Sequence, residues 1–282
     1  MKRSGMNVSP RWRTALRMLA LTSVVCCTAA DPTSPQENPS MPKLPNIVLV
    51  HGAWADGSSW STVIQRLQKA GYHASAVQLT LSSFAEDVAR TRALLAAQTG
   101  PTLLVAHSFG GAIITQLGAD APNVIGLAYE SAFAPDQGET MKAILSQPPQ
   151  PAGAAAIYPD TRGYLWLETD GFVQFFAPDV PPLDARAMAA AQTPIAANVL
   201  FDETPFGLPA WKHFPTWYLV TTDDRMLPPD AQRFFATRMG ATVTSLAGSH
   251  ASMVSHPDAV ANFIVKAAEA AASRAMVGVR ER

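Results

Sequence analysis

The chain has 282 residues, 21 Lys+Arg against 22 Asp+Glu, a formal net charge of −1, 48% hydrophobic and 15% charged residues. That balance excludes a strongly basic nucleic-acid binder and a largely disordered chain, and two cysteines cannot build a disulfide scaffold. Six histidines scattered without cysteine partners carry no metal signature, so neither a metal nor an organic cofactor is expected.

Lys2, Arg3, Arg11, Arg13 and Arg17 precede the first acid, Asp31, and an apolar run from Met18 to Ala30 follows them. A basic region, a short apolar stretch and small residues before an acid predict a secretory signal peptide over residues 1–30. A bilayer span needs about 20 apolar residues, so no stable membrane span is expected. The protein is expected to be exported, to the periplasm or the medium. Cleavage after Ala30 removes all five of those cations together with Cys26 and Cys27. A lipid anchor on either cysteine is the minor alternative, since Val25 and Cys26 are bulky for the position before a lipidated cysteine. Pro32, Pro35, Pro39, Pro42 and Pro45 then mark residues 31–45 as an extended linker.

From Asn46 the pattern alternates between strand and helix. Ile47–Val50 is a continuous apolar run, as in a strand buried on both faces. Trp60, Val63, Ile64 and Leu67 follow at helical spacing and stop near Gly71. Ala74–Leu79 is the next strand, Ser83 and Glu86 form a capping box, and Phe84, Val88, Thr91 and Leu95 share a helix face. Leu103–Val105, a helix over Gly110–Leu117 and a strand over Val124–Tyr129 complete the first part. Residues 134–213 break the rhythm with prolines and aromatics, among them Trp166, Phe172 and Phe176, and are predicted to form an inserted, mainly helical cap. Trp217–Val220, a helix over Asp230–Met239 closed by Gly240, the strand Thr242–Leu246 and a helix from Pro257 resume the pattern. Alternating units predict an α/β fold, a mostly parallel sheet flanked by helices, with its core in 46–133 and 214–275.

The chemistry begins at Ala106, His107, Ser108, Phe109 and Gly110, where an apolar strand runs directly into a helix. This is the G-x-S-x-G elbow with alanine in the first small position. A tight strand-to-helix turn pushes the Ser108 hydroxyl outward and leaves the Phe109 amide facing a developing oxyanion. The loop after the first strand supplies the second expected donor, the Ala53 amide, beside Trp54. A serine hydroxyl needs an adjacent base. His51 and His107 sit in tight turns and are expected to be structural, whereas His73 and His213 precede strands. His250, after the last strand, lies at the carboxyl end where α/β sites gather, with His256 as runner-up. The acid that orients the base is expected on the loop after Val220: Asp224 first, Asp223 next, Glu130 a weaker competitor.

With these residues in view the chain resembles the α/β-hydrolase superfamily, and within it small bacterial esterases related to plant methylesterases and hydroxynitrile lyases. The similarity runs from about Asn46 to Ala272. It is carried by Val50 to Trp54 with Gly57 to Trp60, by the elbow, by Ala132 to Asp136, by Asp224 to Pro228 and by Gly248 to His250. The resemblance implies a six-stranded core, and it favours Asp224 because the family's acid stands four residues before a proline, here Pro228. It also implies two branch markers of the lyases, a threonine after the first-loop histidine and a lysine after the catalytic one; this chain has Gly52 and Ala251 there. The expectation is a serine carboxylesterase working on small to medium apolar esters through an acyl-enzyme. Ser108, Asp224 and His250 would be catalytic, the Ala53 and Phe109 amides would form the oxyanion hole, and Trp54, Trp166, Phe172 and Phe176 would wall the pocket. The partner is a small-molecule ester, with no nucleic acid. The alternatives are lyase, C–C hydrolase or perhydrolase chemistry on the same residues, or a low-turnover ligand-binding protein.

Overall fold

A computed structural model describes residues 44–121 and 123–280, with only the backbone over 278–280. The expected signal peptide, and the linker up to residue 43, lie outside the described residues. Strand β1 (Asn46–Val50) is buried along its whole length, as its unbroken apolar run requires. A 3₁₀ turn (Gly57–Trp60), capped by Asp56 accepting from the Ser58 amide, leads into α1 (Ser61–Lys69), which buries Val63 and Leu67. Then come β2 (Ala74–Ala76), α2 (Phe84–Ala96), β3 (Thr102–His107), α3 (Gly110–Thr115) and β4 (Val124–Glu130). The Ser83 hydroxyl accepts the Glu86 amide at 3.3 Å, so the capping box starts α2 as expected.

After β4 come α4 (Met141–Leu145), β5 (Ile157–Pro159), β6 (Tyr164–Leu167), α5 (Thr169–Gly171) with a π-helical turn (Phe172–Phe176), α6 (Pro182–Ala191), β7 (Ile195–Ala196) and α7 (Ala197–Leu200). The chain closes with β8 (Thr216–Thr221), α8 (Pro229–Arg238), β9 (Thr242–Leu246), α9 (Ser252–Ser255) and α10 (Pro257–Arg280). Gly240, at φ +61°, ends α8 in the left-handed conformation expected of it.

Six strands form one sheet in the order β2-β1-β3-β4-β8-β9, every neighbouring pair parallel. The α/β-hydrolase expectation of a six-stranded, helix-flanked sheet therefore holds. One face packs Ile47, Leu49, Leu103, Val105 and Ala128 against Trp60, Val63 and the apolar side of α10. The other packs Val48, Val50, Leu104, Ala106 and Leu127 against α3, α8 and the segment between β4 and β8. At about 25 cal/mol per Å2 of apolar area, these two layers supply most of the folding drive. The chain winds one way from β1 to β2 and the other from β3 onward, so the ends of β1 and β3 diverge over a crevice.

Three details depart from the sequence reading. Strand β2 ends at Ala76 instead of Leu79, because the Leu79 amide bonds the His51 ring at 3.0 Å and the Thr80 and Leu81 amides bond Asp87. Helix α3 ends at Thr115, shortly before Gly118 turns the chain at φ +65°. The inserted segment is mainly helical but also holds a three-stranded antiparallel sheet, β5-β6-β7. In β6, Leu165 and Leu167 are buried while Tyr164 and Trp166 are half-buried, a strand alternation that the aromatic content obscured. Among the described residues no helix is long and apolar enough to cross a membrane, and no cluster of His, Cys, Asp and Glu is arranged to hold a metal ion.

Candidate active site

The turn from β3 to α3 puts Ser108 at φ +52°, a left-handed conformation that a non-glycine residue rarely adopts. Close packing on every side enforces it. A Cβ at Gly110 would lie 2.6 Å from the His51 carbonyl oxygen, and one at Gly111 would lie 2.2 Å from that of Phe133. The Ser108 carbonyl accepts from the Gly111 and Phe133 amides at 2.9 and 3.1 Å, and its amide donates to the Glu130 carbonyl at 3.3 Å. The hydroxyl is thereby held at the carboxyl edge of the sheet.

His250, on the loop from β9 to α9, places Nε2 2.9 Å from the Ser108 Oγ and Nδ1 2.7 Å from an oxygen of Asp224. The network assigns the neutral tautomer with the proton on Nδ1, donated to the carboxylate, which leaves Nε2 to accept from the serine. All three side chains are buried, at 5% exposure or less. Asp224 is fixed from both oxygens. Oδ1 accepts the Met226 and Leu227 amides at 2.8 and 2.9 Å, and Oδ2 accepts Gln232 Nε2 at 2.9 Å and the Thr221 hydroxyl at 3.2 Å. Gln232 and Thr221 were not singled out in the sequence; a glutamine one turn into α8, opposite a strand-end threonine, was the available signal. A hydroxyl, a ring nitrogen that accepts its proton and a carboxylate that fixes the ring are the parts nucleophilic catalysis requires.

The competing residues stand elsewhere. Asp223 is exposed, with its amide on the Gly248 carbonyl. His256 faces Asp179 at 3.4 Å. Glu130 bonds Ser252 and not His250. His51 and His107 are buried as structural groups. His51 receives the Leu79 amide on Nε2 and donates from Nδ1 to the Gly52 carbonyl, and His107 donates from Nε2 to the His250 carbonyl at 2.8 Å. Burial lowers the pKa of both, that of His107 well below the ordinary range.

The Ala53 and Phe109 amides, one in each loop flanking the crevice, donate to no protein acceptor among the described residues. Gly52 lies so close to Ser108 that a Cβ there would sit 2.6 Å from the Ser108 Cβ. Trp54, at φ +57°, ties this loop to the inserted segment: its amide bonds the Thr193 carbonyl at 3.1 Å and its indole the Leu165 carbonyl at 2.9 Å.

Of the expected pocket aromatics, Phe176 stands edge-on to the His250 ring at 5.0 Å, and Phe172 stacks on Phe176 at 4.5 Å. The π-helical turn sets these two four apart on one side. Trp166 is not brought to the site. Strand alternation turns it to the side of β6 opposite Leu165 and Leu167, where its indole bonds Asp160 at 3.3 Å. An apolar cavity of about 460 Å3 opens beside the acid loop, between Phe133, Ile144, Leu145, Met226, Leu227 and Phe235, and none of the four aromatics lines it.

The inserted segment also grips the loop carrying His250. Asp179 accepts the Ser249 amide and hydroxyl at 2.8 and 2.5 Å, and the Phe176 carbonyl accepts the Ala251 amide at 3.1 Å. Burial alone would raise the Asp179 pKa, but the bonds from Ser249 outweigh it and hold the carboxyl below its ordinary value.

A family model described as alpha/beta hydrolase family matches residues 47–263. A carbendazim hydrolyzing esterase from Nocardioides sp. (strain SG-4G) is 34% identical over 123 residues, 37% of this chain and 50% of that one, so the match spans half of that relative. A pyrethroid hydrolase from Sphingobium wenxiniae is 28% identical over 258 residues, 80% of this chain and 89% of that one. Among solved structures, a mutant of polyneuridine aldehyde esterase superposes with a TM-score of 0.69 at 18% identity, covering 79% of this chain and 98% of the other. The likeness to the α/β-hydrolase superfamily and its bacterial esterases drawn from the sequence is borne out.

Proposed function

This chain belongs to the α/β-hydrolase family and is an ester-hydrolysing enzyme, and on that premise we propose that it is a serine carboxylesterase acting on small to medium apolar esters. What supports the serine mechanism is the unbroken hydrogen-bond chain from Ser108 Oγ through His250 to Asp224. His250 Nε2 takes the hydroxyl proton as Ser108 attacks the ester carbonyl. The Ala53 and Phe109 amides receive the oxyanion, a role in which one donor contributes about 100- to 1,000-fold in rate. The imidazolium, held by Asp224, returns the proton to the departing alcohol. Water, deprotonated by the same nitrogen, then releases the acid from the acyl-enzyme and regenerates the serine.

Two positions favour hydrolysis over cyanohydrin cleavage. Ala251, next to His250, brings no cation to a departing anion. Gly52 leaves no room for a side chain between its loop and Ser108. An apolar substrate fits the apolar cavity between Phe133, Leu145, Leu227 and Phe235, and the names of the two relatives, which refer to carbendazim and pyrethroids, point the same way. Export is part of the same proposal and rests on the leader pattern of residues 1–30. Activity in the periplasm or medium, on a chain starting at Asp31, would support it, and full-length enzyme in the cytoplasm would overturn it.

The deciding experiment is hydrolysis of p-nitrophenyl esters from acetate to long chains by the enzyme and its Ser108→Ala variant. Turnover of the shorter esters, lost in the variant, is expected. A folded wild-type enzyme inert on every ester removes the proposal.

A further inference from the structure

His107 and Glu130 are direct neighbours in the β3–β4 register, and both are fully buried. Alternation along the strands sets them on one face of the sheet. Leu103 and Val105 precede His107 on the side packed against Trp60 and α10, and Ala128 precedes Glu130 on that same side. Trp60 meets the His107 ring edge-on, which agrees with that placement.

Each of the two holds a different point of the segment that carries the base. His107 Nε2 donates to the carbonyl of His250 itself at 2.8 Å, and its ring lies 4.6 Å from the His250 ring. The Ser252 hydroxyl, two residues on at the start of α9, donates to Glu130 Oε1 at 2.5 Å. Two side-chain atoms of this pair, His107 Nδ1 and Glu130 Oε2, are buried without a partner. With Nε2 committed as a donor, His107 Nδ1 is an acceptor, and the protonated form of Glu130 carries the one hydroxyl of the pair. A carboxylate with one oxygen buried and unpaired is disfavoured against the neutral acid.

Resting on the assignment of His250 as the base, we propose that Glu130 and His107 form a positioning pair that holds the His250 segment from the sheet side, with Glu130 as the neutral acid, and that ionisation of Glu130 lowers turnover at alkaline pH. Among the described residues no cation compensates that charge. The titratable groups near Glu130 are His107 on β3, which burial keeps neutral, and Asp224 on the loop after β8, which repels it; His250 precedes α9. From α9, Ser252 and Met253 offer a hydroxyl and an amide. Burial, reinforced by the Asp224 charge, pushes Glu130 up to about 8 against the bonds from Ser252 and Met253. Ionisation would then bury an uncompensated charge behind the His250 segment and beside Asp224, at a pH where the ester assay still runs.

The test compares pH profiles of kcat and KM for the wild-type enzyme, Glu130→Gln and Glu130→Ala, with labelling of Ser108 by an organophosphonate as a separate readout. The wild type should lose about tenfold in kcat per pH unit beyond the ionisation, with KM nearly constant. Glu130→Gln, a neutral isostere, should keep its kcat across that range, and Glu130→Ala should be depressed at every pH. Superimposed wild-type and Glu130→Gln profiles, or a limb confined to KM, would overturn the pair even if Glu130→Ala fails to fold. Failure of Ser108 to label would instead overturn the serine mechanism.

Discussion

Asp224 receives five hydrogen bonds, two from amides, one from an amide side chain, one from a hydroxyl and one from His250. Every direction around the carboxylate is already met by a donor. Asp224→Asn therefore places an N–H against another donor and favours the wrong His250 tautomer. It should lower kcat by about 10⁴-fold and, because a buried donor then faces a donor, lower Tm as well, measured by ester hydrolysis and a melting curve. At Gly52 the constraint is steric. Gly52→Thr should not convert the enzyme into a lyase, because its Cβ would lie 2.6 Å from that of Ser108. Loss of esterase activity without cyanide release from a cyanohydrin is expected; measurable release would show that the loop can move aside. The strain at Ser108 was legible from the elbow motif, but the contact between Gly52 and Ser108 joins residues 56 apart and is set by sheet order.

Among the elements, two contacts tie the crevice to what surrounds it. Trp54 holds the loop after β1 to the carbonyls of Thr193 and Leu165. Tyr218, on β8, donates its hydroxyl proton to the Ala132 carbonyl at 2.5 Å and accepts the Ala132 amide at 2.9 Å, fixing the exit from β4. Tyr218→Phe leaves both backbone groups buried and unpaired, at a cost of roughly 1–3 kcal/mol each. In a domain of this size a loss of 1 kcal/mol lowers Tm by about 2–4 °C, so calorimetry should find a drop of several degrees; an unchanged Tm would mean that water replaces the hydroxyl. The core elements were legible because β1, β3, β4 and β8 carry apolar runs and the longer helices repeat near 3.6 residues. Strand β6 was not, because its two half-buried aromatics masked the inward leucines, and β5 and β7 are three and two residues long.

For the whole molecule, buried titratable groups limit stability on both sides of neutrality. His51 and His107 have lowered pKa values when folded, so the stability that depends on their neutral form is present above about 6.5 and is lost as the pH falls. Glu130 acts in the opposite sense. Its folded value near 8 exceeds the ordinary 4.5, so its contribution is complete below 4.5 and is lost as the pH rises through 8. Stability should therefore peak near 6.5, where the histidine contribution is complete, and decline toward the Glu130 ionisation. Glu130→Gln should flatten the alkaline side in denaturant titrations at pH 6, 7, 8 and 9, and an unchanged slope there would count against a neutral Glu130 in the fold.

The sequence by itself determined the alternating fold, the elbow at Ser108, and Asp224 and His250 at the ends of their strands, because these follow from local periodicity, turn chemistry and order along the chain. Tertiary structure alone decided which histidine meets the serine, 142 residues away, and which acid meets the histidine. It also turned Trp166 outward, brought Phe176 against His250, and set Glu130 beside His107 in the strand register. Those outcomes depend on strand order and register, which bring distant residues together in a way that no local pattern records.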